Sequence, residues 1–322
     1  MRAARITTLD GPSSVLVTDV EEPDGAGDRV VIDVHAAGVT FPDVLQTRGL
    51  YQYRPELPFV PGTEVAGIVR SAPSGASVRV GDRVAAFPGL GGFAETVAVP
   101  GDAVFGIPDT LSFVAAAALP MNYLTVHFAL TRRGGLREGE TVLVHGAGGG
   151  VGTAAVQLAS ALGARVVAVT SSPEKAETAR GAGAHHVVSP GDFRADVLEL
   201  TGGAGVDVVV DPVGGDRFTD SLRCLAPEGR LLVIGFTAGE IPTVKVNRLL
   251  LNNISVVGVG WGAFWARRPD YLRRQWAELR PLVEAGVLDP PIGATYPLED
   301  AATALAELDT RSAKGKIVLT LR

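Results

Sequence analysis

Residues 141–152 read TVLVHGAGGGVG, a short apolar run that stops abruptly in glycines, and the alanine-rich stretch 151–162, VGTAAVQLASAL, follows at once. A strand, a tight glycine turn and a helix in that order form the local frame on which a dinucleotide is held. Ala147, Gly149 and Gly152 take the three small positions of G-x-G-x-x-G, alanine replacing the first glycine, and Gly148 and Gly150 loosen the turn further. Small residues are required because the backbone must turn, admit a pyrophosphate at close range and let the next helix pack on the strand. The helix beginning at Val151 aims its unpaired amides and the positive end of its dipole at the phosphates. A second apolar run, RVVAVT at 165–170, follows Gly163 and completes a strand–helix–strand unit, a context that an incidental glycine turn lacks.

The end of that second strand narrows the cofactor. NAD sites usually place an acid there to hold the ribose 2′-hydroxyl, whereas this chain offers Thr170, Ser171, Ser172, Pro173, Glu174 and Lys175. Ser171 and Ser172 can donate hydrogen bonds to a 2′-phosphate and Lys175 can add charge, which favours NADPH. The competing role for Ser172 is to cap a helix starting at Pro173, and the two roles are compatible.

Composition bounds the remainder. A chain of 322 residues has room for about two domains, and 46% hydrophobic with 20% charged residues describes a globular protein rather than a disordered one. The net charge of −6 and the lack of a basic block argue against nucleic acid or an anionic membrane as obligate partner. A single cysteine, Cys224, rules out an intramolecular disulfide framework and a cysteine-cluster zinc site. With no signal-like or membrane-length apolar run, the expected location is cytoplasmic.

Hydrophobic period sets the organisation. Up to about residue 120, short β-branched runs (SVLVTDV, RVVIDVHAAG, TEVAGIVRSA, DRVAAF, FAETVAVP) are punctuated by glycine and proline, predicting a mostly β domain. From Thr141 strands and helices alternate through HHVVS, VDVVVDPVG, RLLVIGF and ISVVGVG, predicting a doubly wound parallel sheet in an α/β fold. The tail from about Pro269 carries an amphipathic helix, DYLRRQWAELRPLVEAG, then ATYPLEDAATALAEL and a closing strand, KIVLTLR, expected to return to the first domain.

A β-rich first part carrying AAGVTFPDVLQTRGLY and PGTEVAGIV, a nucleotide half opening HGAGGGVGTAAVQLA, and a tail with GKIVL together resemble the medium-chain dehydrogenase/reductase superfamily from end to end. The combination is similar to its zinc-free quinone oxidoreductase branch. That resemblance implies a GroES-like substrate domain (1–121, completed by 265–322), a Rossmann domain (122–264), and NADPH in a cleft between them. It also implies that zinc-dependent relatives place a catalytic cysteine where Thr40 stands and a histidine where Thr63 stands, and carry a four-cysteine structural lobe missing here. The five histidines, His35, His127, His145, His185 and His186, have no zinc-like spacing with cysteine, so no metal is expected.

Without ligands for a Lewis acid, the chemistry suits an acceptor that is already electrophilic, a quinone or an alkene conjugated to a carbonyl. The resemblance places Thr40, Asp43, Tyr51 and Tyr53 on the substrate side, with Tyr51 orienting or protonating the acceptor oxygen. Asparagine is usual in the branch at the Thr40 position. Asn122 and Thr125 in LPMNYLTVHFAL resemble the segment entering the cofactor cleft, and Asn247 in KVNRLLLNNISVVGVGW the nicotinamide end. Asp211, Pro212, Val213, Gly235 and Phe236 fall at strand ends, the usual ligand edge. Residues 254–260 would form an exposed edge strand suited to pairing two copies as a homodimer. Arg311, Lys314 and Lys316 are expected either to add charge near the phosphates or to lie on a solvated surface. Two alternatives to quinone reduction stand: an enoyl-thioester or alkenal double-bond reductase, and a non-catalytic NADPH-binding structural or regulatory protein.

Overall fold

The computed structural model describes residues 1–268 and 270–322, so Pro269, where the sequence reading starts the tail, lies outside the described residues. In chain order the first stretch runs β1 (Arg2–Ile6), β2 (Val15–Asp19), β3 (Arg29–Val39), α1 (Phe41–Gln46), β4 (Glu64–Ser71), β5 (Arg83–Ala86), β6 (Thr96–Pro100), β7 (Val104–Gly106) and α2 (Phe113–Ala116). Next come α3 (Pro120–His127), β8 (Thr141–Val144), α4 (Gly150–Ala161), β9 (Arg165–Val169), α5 (Pro173–Gly181), β10 (His186–Val188), α6 (Phe193–Leu200) and β11 (Val206–Asp211). The remainder is α7 (Phe218–Arg223), β12 (Leu225–Val233), α8 (Asn247–Asn252), β13 (Ser255–Gly258), α9 (Trp261–Trp265), α10 (Tyr271–Glu284), β14 (Ile292–Pro297), α11 (Ala301–Asp309) and β15 (Lys316–Thr320). None of the described helices is long and apolar enough to cross a membrane.

The described residues divide into two compact units, one of residues 1–121, 270–284 and 292–322, the other of residues 122–268 and 285–291. This differs from the division read in the sequence, in which everything after 264 joins the first part: residues 265–268 and 285–291 belong with the nucleotide half. The physical reason is a clasp on α4. The Gln157 amide donates to the carbonyl of Asp289 at 2.6 Å, and its own oxygen accepts from the Asp289 amide and from the buried Tyr123 hydroxyl at 2.5 Å.

The first unit is built on a sheet ordered β14-β15-β3-β4-β5-β7, with β6 also pairing β3, beside a two-stranded β1-β2 ribbon. The sequence of β3, RVVIDVHAAGV, is mostly apolar and mostly buried, and its backbone is paired by β4 along one edge and by β15 and β6 along the other. From the tail, Trp276 of α10 stacks on Phe105 of β7 at 5.1 Å.

The second unit is the predicted doubly wound sheet, six parallel strands ordered β10-β9-β8-β11-β12-β13. Parallel strands are buried on both faces and so read as valine-rich runs, as VDVVVD and RVVAV do. Leu143, Val167, Val209 and Leu231 meet in its core, and each such side chain contributes about 1.5–3 kcal/mol by leaving water. The strand order turns back between β8 and β11, the switch point outside whose carboxyl ends such sheets bind ligands.

Candidate active site and cofactor site

At the carboxyl end of β8 the chain enters the glycine turn. The Ala147 amide bonds back to the Val169 carbonyl of β9, fixing the turn between two strands, and the Gly149 amide closes on the Gly146 carbonyl at 3.0 Å. Gly152 is where helix and turn touch: a Cβ there would collide with the carbonyl of Gly146. Gly149 is the N-cap of the twelve-residue α4 and supplies no side-chain cap. The first-turn amides of α4, from Gly150, Val151 and Gly152, therefore need an acceptor from outside the helix.

Around that turn stand the other residues expected to hold a dinucleotide. A Cβ on Gly150 would lie 2.6 Å from the Nδ2 of Asn122, so the asparagine amide is laid against the turn. Thr125, one turn further along α3, is buried, and its hydroxyl has no hydrogen-bond partner. A Cβ on Gly148 would come within 2.6 Å of the Cβ of Lys175, which places the lysine stem over the turn. Ser172 caps α5, its hydroxyl accepting from the Lys175 amide at 3.3 Å, while Ser171 is exposed at the strand end. The cap role is thus present, and by fixing the start of α5 it sets Lys175 beside Gly148. A glycine cradle that side chains would fill, an orphaned buried hydroxyl and a lysine beside the turn together fit a phosphorylated dinucleotide.

At the neighbouring strand end, the Asp211 carboxylate accepts from the amides of Val213 and Gly214, closing a tight turn, and burial raises its pKa. Phe236, after β12 and Gly235, packs its ring at Gly214, so it lies at the same ligand edge. Asn247 opens α8 and is exposed.

The first unit holds a separate buried polar cluster. Thr40 opens α1 as half of a capping box, and its amide and hydroxyl both donate to Asp43 Oδ2, at 2.8 and 2.6 Å. The second Asp43 oxygen accepts from the Gly62 amide at 3.2 Å, and the Thr40 hydroxyl lies 3.2 Å from that of Thr63. Asp43 is wholly buried, and burial pushes its carboxyl up to about 6, above the effect of the Thr40 hydrogen bonds and the Lys316 charge. Tyr51 is half-buried; desolvation first, then the Asp43 charge, hold its phenol above the ordinary value. Tyr53 is 62% exposed.

Two expectations need correction here. Lys316 neither lies on a solvated surface nor reaches towards phosphate; it is 4% exposed and ion-paired with the fully buried Glu64. The Glu64 carboxylate also accepts from the Met121 amide, and Gly38 leaves the space it occupies. Thr40 presents no uncommitted hydroxyl, because the capping box uses it. Lys314 and Arg311 are exposed and belong to this first unit, in the turn ahead of β15. The Glu64–Lys316 pair was missed from sequence, although both charges open strands that continue as apolar runs.

Comparisons with known proteins agree with this architecture. Residues 26–109 match the family model described as alcohol dehydrogenase GroES-like domain, and residues 150–283 that of zinc-binding dehydrogenase. Quinone oxidoreductase-like protein 2 of Bos taurus is 38% identical over 325 residues, covering 100% of this chain and 93% of its own length. The Thermus thermophilus quinone oxidoreductase, solved alone and in its complex with NADPH, superposes with a TM-score of 0.86 at 36% identity over 100% of both chains. The Escherichia coli quinone oxidoreductase complexed with NADPH gives 0.91 at 30% identity, again over 100% of both chains.

The zinc in one of those descriptions does not fit the residues present. Thr40 and Thr63 carry hydroxyls turned to each other and to Asp43, and Cys224 is buried in the core of the other unit with its thiol pushed up to about 12 by desolvation. Among the described residues no three His, Cys, Asp or Glu side chains are grouped to hold a metal ion.

Proposed function

Because the chain belongs to the quinone oxidoreductase branch of the medium-chain dehydrogenase/reductase superfamily, we propose that it is an NADPH-dependent, zinc-independent reductase that delivers hydride to a quinone. The observation that carries the cofactor reading is the Lys175 stem lying over Gly148 beside Ser171 and Ser172, at a strand end without an acid. Gly150, Val151 and Gly152 receive the pyrophosphate on their backbone amides, with Gly148 beside them and Ala147 and Gly149 closing the turn behind. Ser171, Ser172 and Lys175 take the 2′-phosphate. Asn122, Thr125, Phe236 and Asn247 hold the remainder towards the nicotinamide, the open Thr125 hydroxyl supplying one hydrogen bond.

Bound NADPH supplies the hydride, so the protein must orient the acceptor, exclude water and provide a proton. Tyr51 suits the orienting role, because a phenol held above its ordinary pKa keeps its proton and donates a hydrogen bond to the acceptor oxygen. The edge strand β13, with the exposed Leu250 and Leu251 on the adjacent α8, supports a homodimer formed through the nucleotide half.

The test is loss of NADPH absorbance after addition of a small benzoquinone, with NADH in parallel and the spontaneous reaction subtracted. Turnover that prefers NADPH is the expected result. Binding of NADPH with reduction of enoyl thioesters alone would move the acceptor to a conjugated double bond. Binding without turnover of any acceptor would leave the non-catalytic alternative.

A further inference from the structure

A cavity of about 590 Å³ opens in the first unit and shares no residue with the Thr40–Asp43 cluster. Its size falls within the roughly 300–1,000 Å³ of small-molecule sites. The floor is one face of the β3–β6 pair. In that antiparallel register Arg29 stands opposite Pro100, Val31 opposite Ala98 and Asp33 opposite Thr96, so these side chains share a face. Arg29, Ala98 and Thr96 line the cavity. The loop after β2 folds over the same face: a Cβ on Gly25 would meet the Val31 side chain at 2.8 Å, and Val20, Glu21, Pro23 and Asp24 supply the cover. Residues 58–60 close a further side, held to β1 by the reciprocal backbone hydrogen bonds of Ile6 and Phe59.

Two polar groups of this cavity are uncommitted. Thr96 is 1% exposed, and its hydroxyl has no hydrogen-bond partner in the protein. Buried hydroxyls are normally satisfied, so this one has capacity for a ligand. Arg5, half-buried on β1, makes no hydrogen bond or ion pair among the described residues, whereas Arg2 on the same strand is paired with Glu95 and Glu299. Arg29 spends one N–H on the Ala98 carbonyl, and Asp33 is engaged by Arg70 and Arg322, so it leaves Arg5 without a counter-ion. The cavity's own acids, Glu21 and Asp24, are exposed at its mouth. A guanidinium grips a carboxylate through two parallel N–H bonds, and Phe59, Val60, Leu90 and Val97 offer apolar wall to the body that carries it. The two acids at the mouth disfavour a ligand with further negative charge. We propose that this cavity binds small apolar monocarboxylates, of the size of an aryl acid, with the carboxylate held by Arg5 and the Thr96 hydroxyl. The site is independent of the reductase reading above.

Titration of the full-length protein with benzoate, followed by magnetic resonance of methyl-labelled valine and leucine, tests it. The methyl signals of Val60, Leu90 and Val97 should move saturably, with a dissociation constant of about 1 mM or tighter. Arg5→Gln should weaken binding about tenfold or more, the worth of a charge-assisted pair. Thr96→Val keeps the shape, removes the hydroxyl and should weaken binding about threefold or more. Benzamide, which has the ring without the charge, should bind about tenfold more weakly than benzoate, and inorganic phosphate should leave these methyl signals in place. If Thr96→Val does not fold, Arg5→Gln and the benzamide comparison carry the test. The proposal is overturned by the lack of saturation, by movement confined to methyl groups of the nucleotide half, or by an Arg5→Gln titration like that of the wild type. Benzamide binding as tightly as benzoate would remove the carboxylate role, and phosphate moving the same signals as strongly would leave only a cationic surface; either result also overturns it.

Discussion

Replacing Asp43 by asparagine should change how stability depends on pH, and both sign and size follow from its surroundings. The carboxyl moves from 3.8 to about 6 on folding, chiefly through burial. Between those values the native state holds a proton that the unfolded chain has released, so stability contributed by this group is present at low pH and lost as pH rises through the window. A shift of about two units at about 1.4 kcal/mol each gives a loss of about 3 kcal/mol. Asparagine has no such transition. Urea unfolding followed by tryptophan fluorescence, in buffers from about pH 3 to pH 8, should therefore show the wild type losing about 3 kcal/mol relative to Asp43→Asn across the range. Differencing the two proteins removes the contributions of other carboxylates. A flat difference would refute the raised pKa. A difference of opposite slope would mean that Lys316 serves Asp43 rather than Glu64, and the assignment of the buried charges would be wrong.

Lys175→Ala should weaken NADPH binding about tenfold or more, the worth of a charge-assisted contact, and leave NADH binding unchanged; equal losses in fluorescence titration would remove the 2′-phosphate role. Lys316→Met should destabilise the protein by about 3–5 kcal/mol by stranding Glu64, and adding Glu64→Gln should recover much of that in thermal melts; a double variant no better than the single would show that the pair does not act as one. Light scattering should give twice the chain mass, and Val257→Lys on the edge strand should reduce it to one; a wild-type monomer would refute pairing through β13.

The second unit was legible because its signals are local. The glycine turn closes on itself, Gly149 and Gly152 both against Gly146, within a strand–turn–helix order that is written in consecutive residues, and the helix read as starting at Pro173 is the observed α5. The buried cluster was less legible because its partners come from distant parts of the chain. Glu64 and Lys316 each stand first in a strand whose following residues, VAGIV and IVLTL, are apolar without alternation. Such runs mark strands covered on both faces, and a charge drawn into one needs an opposite charge in the other. That signal was available. The commitment of Thr40 to its own helix was also readable, since threonine three residues before aspartate spells a cap. The return of 285–291 was not, because nothing in AGVLDPP names Gln157 as the group that receives it.

The Gln157 clasp means that the nucleotide half is not a contiguous piece of gene. A fragment of residues 122–268 would lack Asp289 and leave the buried Gln157 amide without its acceptor, a loss of about 1–3 kcal/mol. Grafting this half onto another member of the superfamily would require two inserts, the long stretch and a seven-residue return, joined at four seams. Recombination that moved only the long stretch would transplant a nucleotide fold with its belt unfastened.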